Sequence, residues 1–195
     1  MVAATEDTKA RLLAEARDSF LEVGLAKFSL REVARRAGVS AAAVYRHFAD
    51  KEALFHQVCG KSLEIFYSYL VKSLAAKTPR GRIDLCAKQY LAFGLENPRD
   101  YRLIFMGDRE HYGDHEFKVE DRGPTYQFLM DRVRECMDAG DFRQADVDQT
   151  AATIWAHVHG LVSLRLAGQL ANLTDAKFAA FYESSTKQLL AGLSK

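Results

Sequence analysis

The stretch GVSAAAVYRHFADKEAL, Gly38 to Leu54, decides how this chain is read. Three alanines follow Ser40, a residue type suited to a helix N-cap, and Tyr45, Arg46, His47 and Lys51 crowd in behind them. With the residues just upstream, the pattern predicts two short helices, Leu30 to Ala37 and Ala41 to Phe48, separated by a turn at Gly38. Ala34 is small where two such helices cross closely. Gly38 takes the left-handed conformation that ends the first, and Val44 supplies the apolar side chain that packs the second against it.

That layout is a helix-turn-helix. With Val44 and Phe48 turned inward, Ala41, Ala42, Tyr45 and Arg46 project from the other sides of the second helix. Small side chains in its first turn let a backbone lie deep in a DNA major groove, where methyl groups meet thymine methyls and longer neighbours reach phosphates. The same alanines also suit a surface helix on propensity alone.

The 195 residues, 48% hydrophobic, are enough for a sizeable core and exclude disorder of the whole chain. Net charge is only +1, so a nucleic-acid signal must be local. From Lys27 to Lys51 the chain carries Lys27, Arg31, Arg35, Arg36, Arg46 and Lys51 against Glu32 and Asp50, an excess of four positive charges around the opening stretch. Cys59, Cys86 and Cys136 are widely spaced and odd in number, as reduced core residues are. The polar opening MVAATEDTKARLL is unlike a signal peptide. The longest uncharged run, Gln149 to Leu164, is too short and too polar to span a membrane. A soluble cytoplasmic protein without cofactor or membrane partner is expected.

Punctuation is helical throughout. Pro79, Pro98 and Pro124 follow Thr78, Asn97 and Gly123, each an N-cap type before a proline at the first helical position. Ser29 with Glu32, and Asp146 with Gln149, are written as capping boxes, while Asp50 and Thr174 suit two more helix starts. Apolar residues recur at three and four between these marks. The expectation is an all-α chain of about nine helices: Thr8 to Val23, Leu30 to Ala37, Ala41 to Phe48, Lys51 to Ala76, Pro79 to Glu96, Pro98 to Met106, Pro124 to Asp138, Val147 to Leu170 and Asp175 to Leu193. Gly107 to Gly123, rich in charge and glycine, reads as a loop or frayed helix end.

From about Thr8 to Leu54, with FSLREVARRAGVSAAAVYRHFADKEALF at its centre, the chain resembles the N-terminal domain of TetR/AcrR-family transcriptional regulators. Two further stretches are similar to that family: ENPRDYRLIFMG (Glu96 to Gly107), and TIWAHVHGLVSLRLAG (Thr153 to Gly168), whose Trp155, His159 and Gly160 resemble the Trp-His-Gly signature of one C-terminal class. The resemblance implies a three-helix DNA-binding head, residues 1–50, on a ligand-binding and dimerisation body, residues 51–195. It implies that Arg31 and the turn Ser40, Ala41, Ala42, Ala43 approach bases, that Tyr45, His47 and Lys51 approach phosphates, that Arg46 takes either role, and that Ser29 belongs to the same DNA-binding set. Members with Gln or Thr in the reading turn can hydrogen-bond bases there. Ala41 to Ala43 cannot, so readout leans on Arg31, Arg46 and DNA shape.

For the body the resemblance implies homodimerisation through the last two helices, an inverted-repeat operator, and a small-molecule effector whose binding releases DNA, usually from a repressor. Tyr67, Tyr90, Phe93, Tyr126 and Trp155 are candidates to line an effector cavity, though each reads first as ordinary core, and His159 either orients a ligand or is satisfied by a neighbouring helix. His157 and His159, two apart on a helix, cannot share a metal; His111 and His115, with Asp114 near, share one only if Gly113 lets that segment be helical. No metal site and no enzyme fingerprint is read from the chain. The competing class is a small-molecule sensor whose head has lost DNA binding.

Overall fold

The computed structural model describes residues 2–106 and 123–195, so Asp114 and the His111/His115 pair lie outside the described residues. These residues hold nine α-helices and no strand: α1 Val2–Lys27, α2 Leu30–Arg36, α3 Ala41–Tyr45, α4 Lys51–Leu70, α5 Pro79–Glu96, α6 Pro98–Phe105, α7 Pro124–Asp138, α8 Val147–Leu166 and α9 Asp175–Leu193. None of the described helices is long and apolar enough to cross a membrane.

The departures from sequence expectation are local. The helical run of α1 breaks at Gly24, which has φ 71° and ψ 169°, one residue past the expected end. The long helix expected from Lys51 to Ala76 stops at Leu70 and tightens into a 3-10 segment, Val71–Ala75, before Ala76 turns extended. α3 ends at Tyr45, and the N–H groups of His47 and Phe48 both return to the Val44 carbonyl. α8 ends four residues early, at a Schellman motif: Gly168, at φ +81°, and Gln169 send their N–H groups back to Arg165 and Leu164. The Ser29–Glu32 capping box does not form, because Ser29 makes no side-chain cap bond and Glu32 is drawn to Arg35 and Arg36. Four other cap residues do act, with Thr78, Asp146 and Thr174 accepting from the third residue of their helices and Asp50 from Ala53, while Gly123 makes no side-chain cap bond.

Contacts divide the described chain into two compact units, residues 2–64 with 99–106, and residues 65–98 with 123–195. In the first, Leu12, Ala16 and Phe20 of α1 meet Val33 and Ala34 of α2, Val44 of α3, Phe48, and Leu54, Phe55 and Val58 of α4. Phe20 stacks on Phe28 and meets Phe55 edge-on. Full burial of each such side chain contributes about 1.5–3 kcal/mol, which is how helices of five and seven residues persist despite their intrinsic instability. α6 belongs to this unit. Its Asp100 carboxylate, 2% exposed, accepts from Arg17 of α1 and from Ser62 Oγ of α4 at 2.6 Å.

The second unit is built around α5, which packs on the 3-10 segment, α7, α8 and α9. Ile83, Val133, Cys136, Met137, Phe142, Ala151, Ile154 and Leu190 form its core. Tyr182 of α9 donates to the Ala87 carbonyl of α5 at 2.9 Å. The three cysteines are free thiols, and burial pushes each up to about 12, so they are protonated at neutral pH.

Candidate functional site

The turn between α2 and α3 is a second Schellman motif. Gly38, at φ +66°, donates to Arg35 O, and Val39 donates to Ala34 O. Ser40 then caps α3, its Oγ accepting from Ala43 N at 3.2 Å. Beneath the turn Val33, Ala34, Val44 and Phe48 are buried, so the angle between the two helices is set by packing.

Seen from solvent, the outer face carries Ser29 and Arg31 from α2, Ser40, Ala41, Ala42 and Tyr45 from the start and body of α3, and Arg46 just beyond. Tyr45 is 60% exposed, which leaves its hydroxyl open to a partner. Ala43 differs from its neighbours in the expected reading turn. It is buried beside Val44, whereas Ala41 and Ala42 are exposed. His47 is half-buried against the Phe48 ring, and the Lys51 ammonium sits 5.8 Å from the centre of the Phe28 ring.

The six bases of this region are not equivalent. Arg35 grips Glu32 through Nε and Nη2 at 2.8 and 2.7 Å, and Arg36 joins Glu32 at 3.0 Å and Glu22 of α1 at 2.8 Å. Hydrogen bonds donated by Arg35, then Arg36, hold the Glu32 carboxyl down at about 2, and the bonds Arg36 donates to Glu22 and Glu32 raise its own pKa. Arg31 and Arg46, by contrast, are exposed and carry no ion pair among the described residues. The Glu32 pairings at three and four residues follow from helix spacing; the Glu22–Arg36 pair joins two helices and has no local signal.

In the second unit, five of the six candidate ligand residues form one chain of contacts. Phe66 links Phe93 to Tyr90, Tyr90 Oη lies 3.1 Å from His159 Nδ1, and Trp155 lies between His159 and Tyr126 at ring separations of 5.5 and 6.0 Å. Tyr126 donates to Asp148 Oδ1 at 2.9 Å. Tyr67 stands apart, edge-on to Phe128. Tyr90 and Phe93 are buried as core side chains. His159 is satisfied by a neighbouring helix, and its Nε2 also meets Ser163 Oγ at 3.3 Å. Burial lowers its pKa, which keeps the ring neutral at pH 7. His157 points elsewhere, to Ser185 of α9 at 3.2 Å. An open depression in this unit is lined by Phe142, Arg143, Ala145, Gln149, Thr150, Thr153 and Leu193, and by none of the six.

A buried core of α1 to α4 presenting a helix-turn-helix, joined in one chain to a larger helical unit, is the architecture of a bacterial regulator. Residues 12–58 match the family described as bacterial regulatory proteins, tetR family, and residues 83–189 match the tetracyclin repressor-like C-terminal domain. The chain belongs to the TetR family. It is similar to the HTH-type transcriptional activator FasR of Mycolicibacterium smegmatis, 29% identical over 104 residues that make up 53% of this chain and 48% of FasR. It is 40% identical over 103 residues to an HTH-type transcriptional regulator of Mycobacterium tuberculosis, covering 51% of this chain and 52% of that protein. The chain thus spans about half the length of the curated relatives it matches. Among solved structures, a Rhodococcus sp. RHA1 protein of unknown function superposes with TM-score 0.79 at 23% identity, over 96% of both chains. A TetR-family regulator of Marinobacter aquaeolei VT8 gives 0.73 at 18%, over 100% of both. At these identities the structures speak for the fold.

Proposed function

We propose that the chain is a homodimeric, sequence-specific DNA-binding transcriptional regulator, a repressor released from an inverted-repeat operator by a small-molecule effector. One observation carries the reading. The face made by Ser29, Arg31, Ser40, Ala41, Ala42, Tyr45 and Arg46 is exposed and keeps unpaired cations, while the residues behind it are buried in a core that fixes its shape. Arg31 reads base edges, Arg46 meets bases or phosphates, Ala41 and Ala42 let the backbone into the major groove, and Tyr45, His47 and Lys51 hold the phosphates. Residues 1–50 are the reading head and residues 51–195 the regulatory part.

Dimerisation through α8 and α9 is supported by Leu164 and Phe181, each 46% exposed, large apolar side chains left on those helices. A two-fold dimer places two heads on half-sites spaced by about 34 Å or a multiple of it. The effector is assigned to the side chains around Tyr90, Phe93, Tyr126, Trp155 and His159, with Tyr67 at their margin. Trp155, His159 and Gly160 support the Trp-His-Gly class. The name of FasR makes that relative an activator, so a reporter assay decides the sign of regulation here.

The test is selection of duplexes from a random DNA library by the purified protein, followed by sequencing. Enrichment of an inverted repeat supports the reading. No enrichment from a folded dimer overturns it and favours a sensor with an inactive head.

A further inference from the structure

We propose that Glu32 is a specificity-determining residue of the DNA-binding head, holding Arg35 away from the phosphate backbone so that the cations left to meet DNA are those beside the reading turn. The inference rests on the DNA-binding reading above. Arg31 and Arg35 are four apart on α2 and share one face of it. Arg31 has no ion pair among the described residues, whereas Arg35 gives Nε and Nη2 to the two oxygens of Glu32 at 2.8 and 2.7 Å. This two-pronged geometry is also how arginine grips a phosphate, so the carboxylate occupies the place a phosphate would take. Arg36 is held twice, by Glu32 and by Glu22 of α1, and ties the two helices together.

Exposed pairs of this kind add little to folding stability, but beside DNA they matter differently. Affinity for any sequence grows with the number of phosphates neutralised, whereas discrimination is the ratio of specific to non-specific binding. A carboxylate that competes with phosphate for Arg35 lowers the sequence-blind part and leaves Arg31, Ala41, Ala42 and Arg46 to set the difference. Glu32 stays ionised throughout the physiological range, its carboxyl held at about 2 by the two arginines, so the competition does not relax at neutral pH.

The experiment uses the full chain and two duplexes, the enriched sequence and a scrambled one, titrated between about 50 and 200 mM salt. Glu32→Gln is expected to steepen the salt dependence by about 0.9 per head, to strengthen binding to the scrambled duplex more than to the specific one, and so to lower the specificity ratio several-fold. Glu32→Gln/Arg35→Gln returns the slope to the wild-type value, and Glu22→Gln leaves it there, since Glu32 still holds both arginines. A Glu32→Gln protein with wild-type slope and ratio overturns the inference while leaving DNA binding intact. Wild-type protein that binds neither duplex overturns the DNA-binding reading and the inference with it.

Discussion

Arg17 and Asp100, 83 residues apart in sequence, meet through two parallel hydrogen bonds, Nε to Oδ1 at 2.9 Å and Nη2 to Oδ2, that bury the carboxylate almost completely. Ser62 donates to the same carboxylate, so helices α1, α4 and α6 converge on one charge. Removing one partner strands the other. Arg17→Met is expected to destabilise the protein by about 3 kcal/mol, because Asp100 would stay buried with a single hydroxyl donor. Urea unfolding measures this; a loss below about 1 kcal/mol would mean that water reaches the site and shields the carboxylate.

The two serines that begin α2 and α3 separate in the same assay. Ser40→Ala removes the bond to Ala43 N and is expected to cost about 1 kcal/mol. Ser29→Ala removes no cap bond and should leave the unfolding midpoint in place. Equal losses would restore the capping box at Glu32.

On DNA, Arg31→Ala is expected to cost about 1–3 kcal/mol on the enriched duplex and to relax sequence choice, while Tyr45→Phe and Lys51→Ala weaken all duplexes alike. Titrations on enriched and scrambled duplexes distinguish the two effects. If Arg31→Ala weakened both to the same degree, the residue would be a phosphate contact.

Burial lowers the pKa of His157 and His159 from the ordinary value of 6.5. Below that value the unfolded chain binds protons that the folded state resists, so stability, complete above about 6.5, falls as pH drops through it and levels off below the depressed folded values. Unfolding free energies across pH 5 to 8 check the sign. His159→Gln should flatten the slope, and an unchanged slope would move the effect to other groups.

The exposed residues of the last two helices give a separate test. Leu164→Glu and Phe181→Glu each place a charge in an apolar contact if α8 and α9 form the dimer, and sedimentation equilibrium should then show monomers that remain folded. Wild-type assembly in both variants would place the interface elsewhere.

Local chemistry makes much of this protein legible in its sequence. Helices α5, α7 and α9 begin and end at the residues read from the sequence, because prolines, caps and apolar spacing act within one or two turns. Gly38 and Val44 placed the helix-turn-helix for the same reason, since a left-handed glycine and one inward valine suffice to set the turn. Only the tertiary structure decided what depends on residues far apart in the chain. Glu32 turned from the Ser29 cap to arginines, one of them also anchored on α1; Ala43 fell on the buried side of a five-residue helix; and His159 found Tyr90 across 69 residues. Arg17 and Asp100 have no sequence pattern that joins them. A periodic pattern tells a side chain which face it occupies, but a buried charge or ring takes whichever partner packing brings within about 3 Å.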